Sequence, residues 1–546
     1  MDDSRSRLNR RELLRHSARA AALLSAGPVL AACGGASRTT SRASVGGTNG
    51  ATALTPGPPA GGAPVRGGTL TVGRISNGTG ETIFPWKAGQ ANDATRVYNL
   101  YDPLFYPVPG GTEPALATGA SFSKDARLWK LKLRDGVTWH DGTPLTADDV
   151  VYTIRAYGSK QSNYRGQALA LIDLKNVRKI DRLTVEVPLR RPFAALPSFL
   201  AFYNALVVKE GALTTQKPIG TGPFQYQSFT PGSRSVFTAY EHYWQGRPNL
   251  DQLVIDTTFT DDGSRMNALL GGEIDIAPAV PPALAKANAS SSRVVIGNAA
   301  GPGFLCACMR VDVAPFNDPR VVQAFKLAMD RSAVVESVFD GYATIGNDAP
   351  CKTFQYWASE ITPEHDPEKA RSLLKAAGHE NLTMPLYTGE VLSGINEMAT
   401  VISNQLAGIG VQAPLKVLPP TAYFSAAPAY GTKARVFSMS YWVTIPPSLG
   451  GFYLSALAPG AEFDETGWAD RPGGGQLLGP ALAETDPAKA ARKWLDVQEQ
   501  QVRQGGYIVP ANMNFVDAYA PRVRGVETTA AGNNAVYRYH EGWLAA

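Results

Sequence analysis

Four cysteines, six histidines and several glycine-rich turns are the residues of this 546-residue sequence that could do chemistry. Cys306 and Cys308 lie one residue apart in the apolar run 305–309. In a strand both thiols point to one face. Extended geometry puts their Cα atoms roughly 6.6 Å apart, which strains a mutual disulfide. Three uses stay open for them: small buried hydrophobes, a disulfide from one of them to Cys351, or redox or metal chemistry. No histidine stands at zinc-like spacing from a cysteine, and His140 and His242 sit in turn motifs, which reads as structural. A Gly-x-Ser-x-Gly elbow and a His-Glu-x-x-His helix are both missing, so nothing supports an exported hydrolase. Gly220 and Gly222 read as backbone freedom at a bend. Gly78-Thr79-Gly80 is a loop, and Asp261-Asp262-Gly263 lacks the alternating ligands of a calcium site. No catalytic residue, metal ligand or cofactor is expected.

The elements that would hold these residues begin behind a long leader. Arg5, Arg7, Arg10, Arg11 and Arg15 precede a short apolar run, 20–32, broken by Gly27 and Pro28. This is an export signal in form. The stretch 9–15 resembles a twin-arginine motif with Arg10 and Arg11 as its pair, although the same charges would serve the general secretory route. Leu30-Ala31-Ala32-Cys33 resembles a lipobox, which implies cleavage before Cys33 and a diacylglycerol thioether on it. Residues 1–32 are thus read as signal peptide. Residues 33–65, rich in Gly, Ser, Thr, Ala and Pro, are read as a lipidated flexible tether. Six arginines against Asp2, Asp3 and Glu12 account for most of the formal charge of +5. The remaining body is close to neutral, which gives no argument for nucleic acid. Length alone predicts two or three lobes.

Residues 68–73 alternate and predict an opening strand. Residues 129–133 alternate apolar and basic, a half-buried strand. Asp135-Gly136 and Asp141-Gly142 are turn pairs on either side of a second short strand. Thr146 is then a helix N-cap with Asp148 and Asp149 in the first turn, and Val150, Val151 and Ile154 on the buried face.

The run from Trp129 to Tyr152 resembles the signature of the family 5 extracellular solute-binding proteins, which includes dipeptide, oligopeptide and nickel binders. Six further segments resemble that family in order: 218–224, 240–248, 272–277, 315–325, 328–331 and 366–378. The resemblance spans about 66–530. It implies an α/β, bilobal periplasmic-binding-protein-like fold of type II with an extra subdomain. Lobe I would be 66–108 with 218–297 and 508–546, the subdomain 109–217, and lobe II 298–507, hinged near 296–300 and 505–510. It also implies a monomer that captures a peptide or peptide-like solute for the permease subunits of an ABC importer. The setting would be the periplasm or the outer membrane face, with attachment through the lipid. The resemblance further implies a ligand-stacking Trp at a strand end, here Trp442 beside Tyr441. The family's Asp for a peptide ammonium would align with Thr444 or Ile445. No carboxylate lies between 438 and 451, which argues against a dipeptide clamp unless one arrives from elsewhere. Cys308 stands near a family Asn and is expected to touch ligand. A nickel- or haem-binding branch is the alternative within the fold, with few His to serve it.

Overall fold

The structure is a computed structural model that describes residues 54–55, 57, 62–214, 217–443, 448–529 and 538–545. Arg10, Arg11, Cys33 and Thr444, with the leader, most of the tether and the alignment position at Ile445, lie outside the described residues.

The opening strand is Thr69–Ile75, parallel to Gln252–Phe259. It belongs to a twelve-stranded mixed sheet. The strands run in the order Leu415–Val417, Leu386–Thr388, Phe437–Trp442, Val295–Met309, Ala511–Tyr519, Ile276–Ala277, Thr69–Ile75, Gln252–Phe259, Arg234–Ala239 and Phe224–Phe229. Ala343–Ile345 and Tyr507–Ile508 attach beside this path. The fifteen-residue strand Val295–Met309 is its spine. Its first part pairs with Ala511–Tyr519 and its last part with Phe437–Trp442. Between them, Gly301, Pro302 and Gly303 bulge opposite Met513 alone, since Ala300 pairs with Asn514 and Phe304 with Asn512. A Cβ on Gly301 would meet the Met513 carbonyl oxygen at 2.4 Å, so the bulge needs glycine there.

Two apolar cores flank this spine. One gathers Leu70, Val72, Val97, Leu253, Ile255 and Tyr519. The other gathers Trp129, Val150, Phe304, Phe437, Tyr453 and Trp494. A four-stranded antiparallel sheet carries Ala117–Phe122, Leu128–Leu133, Thr184–Pro188 and Arg178–Asp181. Leu128–Leu133 buries Trp129, Leu131 and Leu133 and turns Lys130 and Lys132 outward, as the alternation predicts. The helix Ala147–Ala156 opens with a full capping box between Thr146 and Asp149. The helices Pro319–Leu327 and Pro367–Ala376 take their caps from Asp318 and Asp366.

Two expectations are corrected. The second short strand shrinks to one bridge, Thr138 to Pro144, because the Asp141-Gly142 turn closes at once with Trp139 and Thr143 bonded at 2.8 Å. Gly220 and Gly222 serve close approach and not bending: neither has a positive φ. A Cβ on Gly220 would sit 1.6 Å from the Leu100 carbonyl oxygen, and one on Gly222 would sit 2.6 Å from the Leu100 carbonyl carbon.

His140 locks this crossing. The Gly220 N–H donates to Nδ1 at 3.2 Å, so Nε2–H donates to the Gly222 carbonyl at 2.9 Å and the ring is neutral. Tyr240 packs edge-on against it and donates to the Trp139 carbonyl, which joins the 129–152 and 240–248 segments. Cys306, Cys308 and Cys351 are buried thiols and form no disulfide, so the Cys351 pairing is set aside. Among the described residues no helix is long and apolar enough to cross a membrane.

Gly220→Ala is expected to cost about 3 kcal/mol or more, through overpacking against a backbone carbonyl, read as a fall in the urea midpoint. Burial pushes the His140 pKa down to about 4 and that of His540 down to about 3. Below pH 6.5 the unfolded chain binds protons that the folded chain refuses, so stability falls as pH drops from about 6.5 toward 4. His140→Gln, which cannot titrate there, should show a shallower acid-side fall in Tm; an unchanged slope would remove His140 from that account.

Candidate functional site

The strands Val295–Met309 and Phe437–Trp442 are antiparallel, with Phe304 opposite Trp442, Cys306 opposite Ser440 and Cys308 opposite Ser438. Alternation therefore puts both cysteines on one sheet face with Ser440 and Trp442. Tyr507 joins them as the partner of Cys308 on its other side. Over this face lies Glu465, 2% exposed. Its Oε1 accepts from Ser440 Oγ and Tyr430 Oη, both at 2.6 Å. Its Oε2 accepts from Trp442 Nε1 and Tyr507 Oη, both at 2.9 Å. Cys308 Sγ approaches Oε2 at 3.7 Å, and the two sulfurs lie 3.7 Å apart. Burial, and then the Glu465 charge, push the Tyr507 phenol well above its ordinary value, so it stays a donor.

The loop carrying Glu465 is fixed on both sides. Asp464 Oδ1 accepts from the backbone N–H groups of Thr466 and Gly467. Arg310 ties that loop to Asp312 and to the Gly431 carbonyl. Tyr430 is held by Arg435, whose guanidinium sits between the rings of Tyr387, Tyr423 and Tyr430 at 5.2–5.4 Å.

A second carboxylate repeats the pattern. Asp102 is fully buried and accepts from Tyr106, Thr221, Tyr243 and Trp244 at 2.8–3.0 Å. Burial pushes its carboxyl up and the four donors pull it back. Tyr243 and Trp244 of the 240–248 turn thus both donate to Asp102.

A cleft of about 200 Å³ is lined in part by Ser448–Gly450. Phe122, Phe354, Tyr356 and Trp494 give it aromatic walls, with Thr353 and Gln355 as polar points. Its one charged side chain, Glu484, is ion-paired with Lys493 at 2.6 Å and held at a pKa of about 2 by that bond. This volume is below that of drug-sized ligand pockets, so it fits a small solute or part of one.

The comparisons with known proteins agree with this architecture. The profile for bacterial extracellular solute-binding proteins, family 5, matches residues 111–464. The chain belongs to this family. It is 26% identical over 462 residues to the glutathione-binding protein GsiB of Pectobacterium atrosepticum, covering 81% of this chain and 89% of that one. It is 26% identical over 496 residues to the dipeptide-binding protein of Escherichia coli, covering 84% and 92%. The solved ABC transporter substrate-binding protein CtaP of Listeria monocytogenes superposes with a TM-score of 0.77 at 22% identity, over 88% of this chain and all of that one. The fold is the α/β, type II periplasmic-binding-protein fold of such proteins. As a family member the chain is a transport component that binds solute, and not an enzyme.

Of the residues expected at the site, Tyr441 is half-buried and faces Phe424, on the opposite side of its strand from Trp442. Trp442 is 8% exposed and packs against Phe452 and Phe463. Cys308 is 1% exposed. None of the three lines the cleft. Glu465 is the carboxylate from elsewhere that the sequence left open, but the protein's own donors fill its oxygens. It carries no local signal, standing 23 residues past Trp442 in a loop. Glu465→Gln should destabilise by about 1–3 kcal/mol, because the amide oxygen still accepts from Trp442 and Tyr507 but the bonds lose their charge and Ser440 and Tyr430 must turn to accept from the NH2. An unchanged thermal midpoint would mean the network contributes little.

Proposed function

We propose that this chain is the substrate-binding lipoprotein of an ABC importer, taking up a peptide-like solute of largely apolar character and handing it to permease subunits. The observation that carries the reading is the cleft at Ser448–Gly450, walled by Phe122, Phe354, Tyr356 and Trp494 and offering no unpaired charge. Relatives named for dipeptide and glutathione binding support the solute class.

In this reading lobe I is 66–108, 218–297 and 508–546, the subdomain 109–217 and lobe II 298–507. The strand Val295–Met309 passes between the lobes, which close on the solute as a monomer and present the closed form to the permease. Tyr441 is the aromatic side chain that contacts solute when the lobes close. Trp442 holds the strand end through Glu465, with Cys308 behind it. Thr444 sits in the segment between this strand and the cleft residue Ser448. Arg10 and Arg11 direct export, and acyl chains on Cys33 hold the protein at the membrane, each buried methylene contributing about 0.8 kcal/mol.

Native mass spectrometry of the purified protein, followed by denaturation, should release a small peptide-like molecule. Phe354→Ala and Tyr356→Ala should each weaken its binding about tenfold by calorimetry, the loss of roughly 1.4 kcal/mol of aromatic contact. A ligand that binds both variants with unchanged affinity would place the solute elsewhere. Cys33→Ala should move the protein from the membrane to the soluble fraction, and retention on the membrane would refute the anchor.

A further inference from the structure

The two thiols beside Glu465 take no part in lining the solute cleft. Cys306 Sγ, Cys308 Sγ and a Glu465 carboxylate oxygen lie within 4.8 Å of one another, and all three residues are buried. Among the described residues no other three His, Cys, Asp or Glu side chains come together in this way. We propose that Cys306, Cys308 and Glu465 bind one zinc ion inside the sheet, at a site separate from the solute cleft.

The spacing is that of a tetrahedral centre. Two Zn–S bonds of about 2.3 Å at the tetrahedral angle place the sulfurs about 3.8 Å apart, and a Zn–O bond of about 2.0 Å places oxygen about 3.5 Å from sulfur. The structure has 3.7 Å for Cys306 Sγ to Cys308 Sγ and 3.7 Å for Cys308 Sγ to Glu465 Oε2. A water, or the Tyr507 hydroxyl once turned off Glu465 Oε2, is the fourth donor.

The charge also balances. Zn²⁺ enters, the two thiols give up one proton each to solvent, and two Zn–S bonds replace two S–H bonds. With its carboxylate the site has a net charge of −1 before and after, so loading adds no buried charge. Ser440, Tyr430 and Trp442 hold the carboxylate as outer-shell donors hold a metal ligand, and the Tyr507 hydroxyl turns off Oε2 to leave that lone pair to zinc. Two sulfurs with one oxygen favour zinc over magnesium, calcium or manganese, and do not suit the nitrogen-and-oxygen environment of nickel. Asp102 provides the comparison: it has the same kind of donors, but no thiol pair completes a metal set around it.

The test uses the full chain, reduced and stripped of metal, in its native state and after refolding with metal present, because the site is closed to solvent. One equivalent of Zn²⁺ should bind in competition with a chromophoric chelator. Two protons should be released, read by calorimetry in buffers of different ionisation heat, and Tm should rise. Co²⁺ in its place should give a thiolate-to-metal charge-transfer band. Cys306→Ser and Cys308→Ser should each abolish that band, and Cys351→Ser, which removes a thiol outside the site, should keep it. No stoichiometric uptake in either preparation, or a band that survives Cys306→Ser, overturns the proposal. Neither result depends on which solute the cleft takes.

Discussion

A carboxylate taken out of water must have its lone pairs filled by the protein, and this fold is organised around two that are. Asp102 and Glu465 each receive one indole N–H, two tyrosine hydroxyls and one Ser or Thr hydroxyl. The aromatic donors suit the task because their rings bury apolar area while their polar tips reach the oxygens. Around Asp102 the donors come from 4, 119, 141 and 142 residues away, so the carboxylate gathers chain segments that local structure alone would leave apart. Around Glu465 they come from 23 to 42 residues away and bind a loop to the face of the main sheet.

What could be read in the sequence was the short-range part. The Thr146 cap and the Leu128–Leu133 alternation depend on residues within four positions of each other. The ordered motifs identified the family, and with it the fold. Long-range roles were hidden even inside recognised motifs. Tyr243 and Trp244 were visible as a turn, but their partner Asp102 stands in a stretch with no marked pattern. Gly220 and Gly222 looked like glycines of a bend until the Leu100 carbonyl appeared against them. Glu465 could not be found from the missing aspartate near Trp442, because only the folded loop brings it there. Cys306 and Cys308 were placed on one face by alternation alone, but nothing in the sequence set a carboxylate over them.

The sheet links these local successes to the whole. Val294 and Ile296 pack with one core and Phe304 to Met309 with the other, so a single strand belongs to both. The neighbouring strand does the same in reverse, Ala511 in one core and Val516 to Tyr519 in the other. Away from these strands the cores are also joined, as where the Tyr98 hydroxyl donates to the Ala201 carbonyl and Asn204 to the Pro85 carbonyl.

The bulge at Gly301-Pro302-Gly303 then acquires a mechanical meaning. A continuous ladder resists twisting because rotation must break bonds along its length. Here three residues span the gap opposite one, and proline has no N–H to contribute. The rungs on either side therefore belong to two separate ladders, one ending at Ala300 and one starting at Phe304. Any side chain at 301 would press on the Met513 carbonyl between them.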